Sequence, residues 1–237
     1  MKVNAYILCY NEEKMIRFTL DYYSKYCNEI FLLDNMSTDR SVEIANTYDK
    51  VTVVPWDSGG KYNEQAQVHV KTNARFMHGT DHDWAIMVDM DEIIYGLENL
   101  EQLHNLQVKL PGINGYHMVA DSFPKYGTGC ITEKIKTGIR AENMDKQSVV
   151  AKDTQIRYSL GMHLFNSVEE RDKVYPPLKL LHYKWLGTEV LDEKYKGYMK
   201  RYPEEYKAAG ITEYWQATPD QNAGELRDKL QLLEEVI

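Results

Sequence analysis

Between Asn4 and Asp91 the chain alternates: short apolar runs, separated by stretches with helical character. Asn4–Cys9 is such a run, and Asn11 offers an N-cap with Glu12 and Glu13 in the first turn, where carboxylates suit the helix dipole. That helix is expected to reach about Tyr26. Glu29–Asp34 reads as a second strand, and Ser37, Thr38 and Asp39 as the cap of a short helix through about Thr47. Val51–Trp56 is a third strand, Glu64–His78 a third helix and Trp84–Asp89 a fourth strand. Continuously apolar strands, each followed by a helix, call for a mostly parallel sheet covered on both faces. Right-handed crossovers then bring every strand's C-terminal end to one edge, where open α/β sheets bind ligands. The residues expected there are Cys9-Tyr10-Asn11, Asp34-Asn35, Trp56-Asp57 and Asp89-Met90-Asp91.

After Asp91 the alternation stops. Gly115–Ala120 and Gln147–Ala151 read as strands, with irregular chain between them. From about Asp192 the sequence turns helical and polar. Tyr195, Tyr198, Tyr202 and Tyr206 recur near helical spacing, and Leu226, Leu230 and Leu233 form a stripe on a last helix. With no repeat, low-complexity tract or linker, one domain over residues 1–237 is expected. A net charge of −8 argues against non-specific nucleic-acid binding, which needs a basic field. The cysteines, Cys9, Cys27 and Cys130, are few, odd in number and unpatterned, so they read as reduced thiols. No signal-peptide or membrane-spanning run is visible. A cytoplasmic protein is expected, with any membrane contact peripheral.

Asp89 and Asp91 carry the strongest chemical signal. In extended chain, side chains two apart project together, while Met90 points back. Two carboxylates at close range repel and resist desolvation unless a cation lies between them. Mg²⁺ or Mn²⁺ suits such a pair, binding through carboxylates together with substrate phosphates. Asp34 leaves an otherwise apolar run and suits an acceptor for a base N–H or a ribose hydroxyl. Capping alone accounts for Ser37 to Ser41.

Cys9-Tyr10-Asn11-Glu12-Glu13, Asp34-Asn35-x-Ser37-Thr38-Asp39-x-Ser41 and Asp89-x-Asp91-Glu92, in that order and spacing, resemble family-2 glycosyltransferases of the GT-A fold. The resemblance covers about residues 3–95. The family's second motif usually opens with two acidic residues, where this chain has Asp34-Asn35.

The resemblance implies an α/β GT-A fold with a helical C-terminal part. It divides the chain into a nucleotide-sugar-binding half (1–95), an acceptor and metal-completing half (96–190) and a helical extension (191–237). Tyr10, Asn11, Glu12 and Asp34 would frame the nucleotide, Lys61 and Lys71 approach the phosphates, and Asp89 reach the ribose and the metal. Asp91 would bind Mn²⁺ or Mg²⁺ directly. His182, in His182-Tyr183-Lys184, looks like the family's closing element and the third ligand, with His163 the alternative. The implied activity is metal-dependent, inverting transfer from a nucleoside-diphosphate sugar, with uridine expected, to a glycan or other hydroxyl acceptor.

Inversion needs a general base. Asp121 is the first choice, with Glu133 and Asp153 behind it. Tyr126, Trp185 and the tyrosine stripe suit an acceptor groove, core packing or a subunit contact. Three other readings stay open. An aspartyl phosphatase would place its acid pair in the first strand. A nucleotidyltransferase would carry a basic Gly-rich loop at the first turn. A nucleotide- or glycan-binding module would keep the fold without turnover.

Overall fold

The computed structural model describes residues 1–127, 129–169, 178–204 and 217–237. Its first sheet is built from β1 (Val3–Cys9), β2 (Glu29–Asp34), β3 (Val51–Pro55), β4 (Trp84–Asp89) and β8 (Val149–Ala151), in the order β3-β2-β1-β4-β8. The first four run parallel, as their continuous apolar character requires, and β8 is antiparallel to β4. Register puts Cys9 beside Asp34, Leu8 beside Asp89 and Asp34 beside Pro55, so the strand ends stand level along one edge. Helices α1 (Ile16–Tyr26), α2 (Ser41–Ala45) and α3 (Glu64–Met77) make the connections.

The second sheet has the order β12-β7-β6-β11-β5, from β5 (Glu92–Tyr95), β6 (Ile113–Ala120), β7 (Thr137–Arg140), β11 (Leu178–Leu186) and β12 (Glu234–Glu235). A hairpin of β9 (Ile156–Tyr158) and β10 (Phe165–Ser167) stands apart from both sheets. The short helices α4 (Leu100–Asn105) and α5 (Ile131–Lys134) lie between strands. At the C-terminal end come α6 (Thr188–Arg201) and α7 (Pro219–Leu230). Thr218 caps α7 through a reciprocal pair with Gln221, and Pro219 opens the helix. Tyr206 lies outside the described residues.

One apolar cluster joins the two sheets. Ala5, Ile7 and Cys9 of β1 pack with Phe18 and Leu20 of α1 and with Ile93, Ile94, Ile113 and Leu180 of the second sheet. The link between the sheets is Met90-Asp91. Met90 is buried, as the alternation requires, and its carbonyl accepts from Thr19 Oγ1 at 2.6 Å. β5 pairs with β11 on one edge. Two tyrosines of α1 bond its backbone: Tyr23 Oη accepts from the Ile94 N–H at 3.0 Å and Tyr22 Oη donates to the Ile94 carbonyl at 2.8 Å.

Several boundaries differ from the sequence expectation. α1 starts at Ile16, not after Asn11, because Asn11 adopts a left-handed backbone (φ 52°) and spends its side-chain oxygen on the Thr38 N–H at 2.7 Å. Ser37, Thr38 and Asp39 are not the cap of α2, whose N-cap is Arg40 with no side-chain capping bond; Ser37, Asp39 and Ser41 serve the neighbouring turn instead. Ser37 Oγ accepts from the Asn11 N–H at 3.0 Å, Ser41 Oγ from the Glu12 N–H at 2.8 Å, and Asp39 Oδ2 from the Glu13 N–H at 3.0 Å. The polar run after β2 therefore holds the turn after β1. β8 is antiparallel and begins at Val149, because Gln147 is bent aside with its amide bonded to the Pro111 and Val149 carbonyls.

Gly115 tests how closely β6 meets the segment that carries Lys146. A Cβ there falls 2.3 Å from the Met144 carbonyl carbon. Gly115→Ala is expected to destabilise the chain by about 1–3 kcal/mol, the usual cost of overpacking. A denaturant titration with an unchanged midpoint contradicts the contact.

Candidate active site

The level strand ends of the first sheet form the floor of a pocket of about 370 Å³. From the β3 side toward β4 it meets Trp56, Asn35, Tyr10 and then Asp89, Met90 and Asp91. β6 and β11 supply His117, His182 and Lys184, and α3 supplies Lys71. Lys194, Tyr195, Tyr198 and Arg201 of α6 close the remaining side.

Carboxylates crowd the floor: Asp89 and Glu92 each have a lysine, while Asp91 and Glu12 share Lys194. Asp89 Oδ1 accepts from Lys71 Nζ at 2.6 Å. Burial opposes ionisation of Asp89, yet Lys71 and Lys146 outweigh it and hold the carboxyl below its usual range. Glu92 Oε1 pairs with Lys146 Nζ at 2.7 Å, both side chains almost wholly buried. The other oxygen of Glu92 accepts the Asp89 N–H at 3.0 Å. Glu92 thus fixes the backbone that carries the acid pair.

Asp91 Oδ2 meets Lys194 Nζ at 2.7 Å and His182 Nε2 at 3.3 Å. Here too burial resists the charge, and Lys194 with His182 overcomes it, leaving Asp91 well below its usual range. Lys194 also reaches Glu12 Oε1 at 2.9 Å. Burial raises the Glu12 carboxyl, Lys194 lowers it and Asp91 raises it, with a net upward shift.

The upper wall is aromatic. The Arg201 guanidinium lies 3.4 Å from the centre of the Tyr10 ring and donates to the Lys61 carbonyl and Ser58 Oγ, both at 3.3 Å. Tyr62 stacks on Tyr202 at 4.6 Å, and its N–H donates to the Arg201 carbonyl at 2.8 Å. At the far end burial pushes the Lys184 ammonium down to about 7 and the His117 imidazole down to about 3.

The expected metal trio is only partly gathered. Asp91 and His182 meet, while Asp89 is taken up by Lys71. Among the described residues no three His, Cys, Asp or Glu side chains stand close enough to hold a metal alone. The two that meet fit a divalent cation as a carboxylate oxygen and an imidazole nitrogen. His182 Nδ1 is buried with no hydrogen-bond partner among the described residues. His163 lines the pocket, but its Nδ1 is spent on the Asn143 carbonyl at 2.6 Å. Gly161 is required beside it, because a Cβ there falls 2.6 Å from the His163 ring on a left-handed backbone.

Tyr10 and Glu12 reach the pocket as expected; Asn11 and Asp34 do not line it. Asp34 is buried with its oxygens at 3.1 and 3.3 Å from the Ser37 N–H, so it sets the turn, and its neighbour Asn35 faces the pocket. Lys71 lines the site, whereas Lys61 is exposed and contributes its carbonyl to Arg201. Asp121, Glu133 and Asp153 are all exposed and none lines the pocket. Tyr126 donates to Asp21 at 2.8 Å on the surface, and Trp185 packs with Val119, Leu191 and Leu226. Tyr195 and Tyr198 face the pocket.

Sequence reading missed Lys146, Lys184, Lys194, Arg201 and His117. For two of them a signal existed. Lys194 and Arg201 stand seven apart, two helical turns, on the same stripe as Leu191, Tyr195 and Tyr198. A cation on an otherwise apolar stripe needs a partner inside.

A parallel layer whose acid pair closes β4 at the ligand edge has the arrangement of a GT-A-type glycosyltransferase fold. Residues 5–107, β1 through α4, match the model of glycosyl transferase family 2. Among solved structures it is similar to glucosyl-3-phosphoglycerate synthase from Mycobacterium tuberculosis. The complex with Mn²⁺, UDP and glucosyl-3-phosphoglycerate aligns at 16% identity, TM-score 0.33, over 49% of this chain and 44% of that one. The complex of the same enzyme with Mn²⁺, UDP and phosphoglyceric acid aligns at 20% identity, TM-score 0.33, over 49% and 43%. The chain thus spans less than half the length of these solved proteins. No curated protein matches it significantly. Among the described residues no helix is long and apolar enough to cross a membrane.

Lys146→Met leaves the buried Glu92 carboxylate unpaired and is expected to cost about 3–5 kcal/mol. Adding Glu92→Gln keeps the acceptor for the Asp89 N–H and removes the charge, so the double variant should recover part of that loss. Equal denaturation midpoints for the single and double variants contradict this account of the pair.

Proposed function

We propose that this chain is a glycosyltransferase that binds a nucleoside-diphosphate sugar across the strand ends of the first sheet and transfers the sugar to a hydroxyl acceptor. The observation that carries this reading is the meeting, in a lysine-lined pocket, of Asp91, which lies in the segment that matches family 2, with His182, which lies beyond it. Trp56, Asn35 and Tyr10, toward the β3 side, offer aromatic and amide surface for the nucleoside. Lys71 and Lys194, beside the acid pair, stand where a diphosphate would meet positive charge. Since among the described residues no three side chains suffice for a metal, Asp91 and His182 would hold it together with phosphate oxygens of the donor. Bound there, a divalent cation would supply Lewis-acid neutralisation of the departing diphosphate. Glu92 holds the Asp89 backbone and Lys146 holds Glu92, so the acid pair is positioned before the donor arrives. The far end of the pocket, with His117, Lys184 and Tyr195, is the side left for the sugar and the acceptor.

Uridine is the nucleotide implied by the family resemblance, and Mn²⁺ or Mg²⁺ the metal. A melting-temperature survey of UDP, GDP and ADP, each with and without Mn²⁺, tests this. Selective binding to the folded state must stabilise it, by about 2.7 kcal/mol at a ligand concentration of a hundred times Kd. UDP with Mn²⁺ is expected to give the largest shift, and Asp91→Asn to fold normally while losing both the shift and release of UDP from sugar donors. Absence of any shift across the survey contradicts the donor site. Full turnover by Asp91→Asn contradicts the role of that carboxylate.

A further inference from the structure

Lys194 is the cation in the pocket with the most demanding surroundings. Its ammonium lies 2.7 Å from Asp91 Oδ2 and 2.9 Å from Glu12 Oε1, joining the turn after β1 to the turn after β4 from a helix about a hundred residues further on. The oxygen it holds on Asp91 is also the one nearest His182 Nε2. A metal held by Asp91 and His182 and the ammonium of Lys194 therefore call on the same oxygen.

We propose, resting on the donor reading above, that Lys194 is an exchangeable cation. It competes with the divalent metal for Asp91, and it is drawn onto the donor's diphosphate when metal and nucleotide bind together. Three observations support the exchange. Lysine is a compact charge on a flexible stem with three rotatable donors, so it can change partners without moving its helix. α6 is fixed independently of Lys194, by Arg201 on Ser58 and Lys61, by Tyr62 against Tyr202, and by Leu191 packed with Trp185 and Leu226. Lys194 also lines the same pocket as Lys71, Asp89 and Asp91, within reach of any diphosphate that sits against the acid pair. The consequence is thermodynamic coupling. Nucleotide removes the competitor from Asp91 and strengthens metal binding, and metal must strengthen nucleotide binding by the same factor.

Mn²⁺ binding followed by the electron paramagnetic resonance signal of the free ion, with and without UDP, tests this without reference to turnover. Wild type is expected to bind Mn²⁺ weakly alone and on the order of tenfold or more tightly with UDP, within the usual range of couplings. Lys194→Met is expected to bind Mn²⁺ alone more tightly than wild type does, with most of the enhancement by UDP gone. Lys194→Gln, which keeps hydrogen bonds to Asp91 and Glu12 without the charge, should behave as Lys194→Met does, and covers the case in which the methionine variant does not fold. Lys194→Arg should retain the coupling. Wild-type binding of both ligands with undiminished coupling in the neutral variants overturns the exchange alone. If wild type binds neither Mn²⁺ nor UDP, separately or together, the donor reading falls and the exchange with it.

Discussion

Carboxylates crowd one spot where β1 and β4 end: Glu12, Asp89, Asp91 and Glu92 all line a single pocket. Like charges at such range cannot remain ionised and buried without compensation. The chain supplies it from elements far apart in sequence. Lys71 comes from α3, Lys146 from the approach to β8, Lys194 from α6, and His182 from β11. This charge balance ties the second sheet and α6 to the ligand edge of the first.

The compensation is graded, and the grading sorts the acids by role. Glu92 and Lys146 are nearly sealed from solvent, and Glu92 spends its second oxygen on the Asp89 N–H. That pair is scaffold. Asp91 and Lys194 keep some exposure and face the pocket, so their partnership is open to a ligand that brings its own charge. Electrostatic preorganisation of this kind does its work when groups are aimed before charge develops, since reorganisation is then avoided. The aromatic wall of Tyr10, Tyr62 and Tyr198, with Arg201 on the Tyr10 ring, borders the polar centre.

The first half of the fold was legible because local chemistry determined it. Four apolar runs with intervening helices left little choice but a parallel sheet, and the strand ends carried the acid pair into view. Asp89, Asp91, Lys71, Tyr10, Glu12 and His182 were all named from sequence, and all reach the pocket. Asp34 does not line the pocket, for the sequence shows a carboxylate at a strand end but not that it accepts the Ser37 N–H. Asn11 was misread for the same kind of reason: its side chain serves the neighbouring turn instead of its own helix. The second sheet was hidden by its mixed pattern, for β11 carries Lys179, His182 and Lys184 among its leucines. Those polar residues interrupt an apolar run, and two of them face the pocket. Lys146 was invisible because its partner Glu92 lies 54 residues away; the stripe on α6 marks Lys194 and Arg201 as cations in need of partners but not which ones, since those lie 103 and 143 residues away.

A crystal structure of the chain grown with UDP and Mn²⁺, with anomalous data collected to locate the metal, addresses the central claim most directly. The expected result is a manganese peak touching Asp91 and His182 and bridging to the diphosphate, with the nucleoside lying along Tyr10, Asn35 and Trp56. A peak elsewhere, or a nucleotide bound outside the pocket with the Asp91–His182 pair untouched, would contradict it.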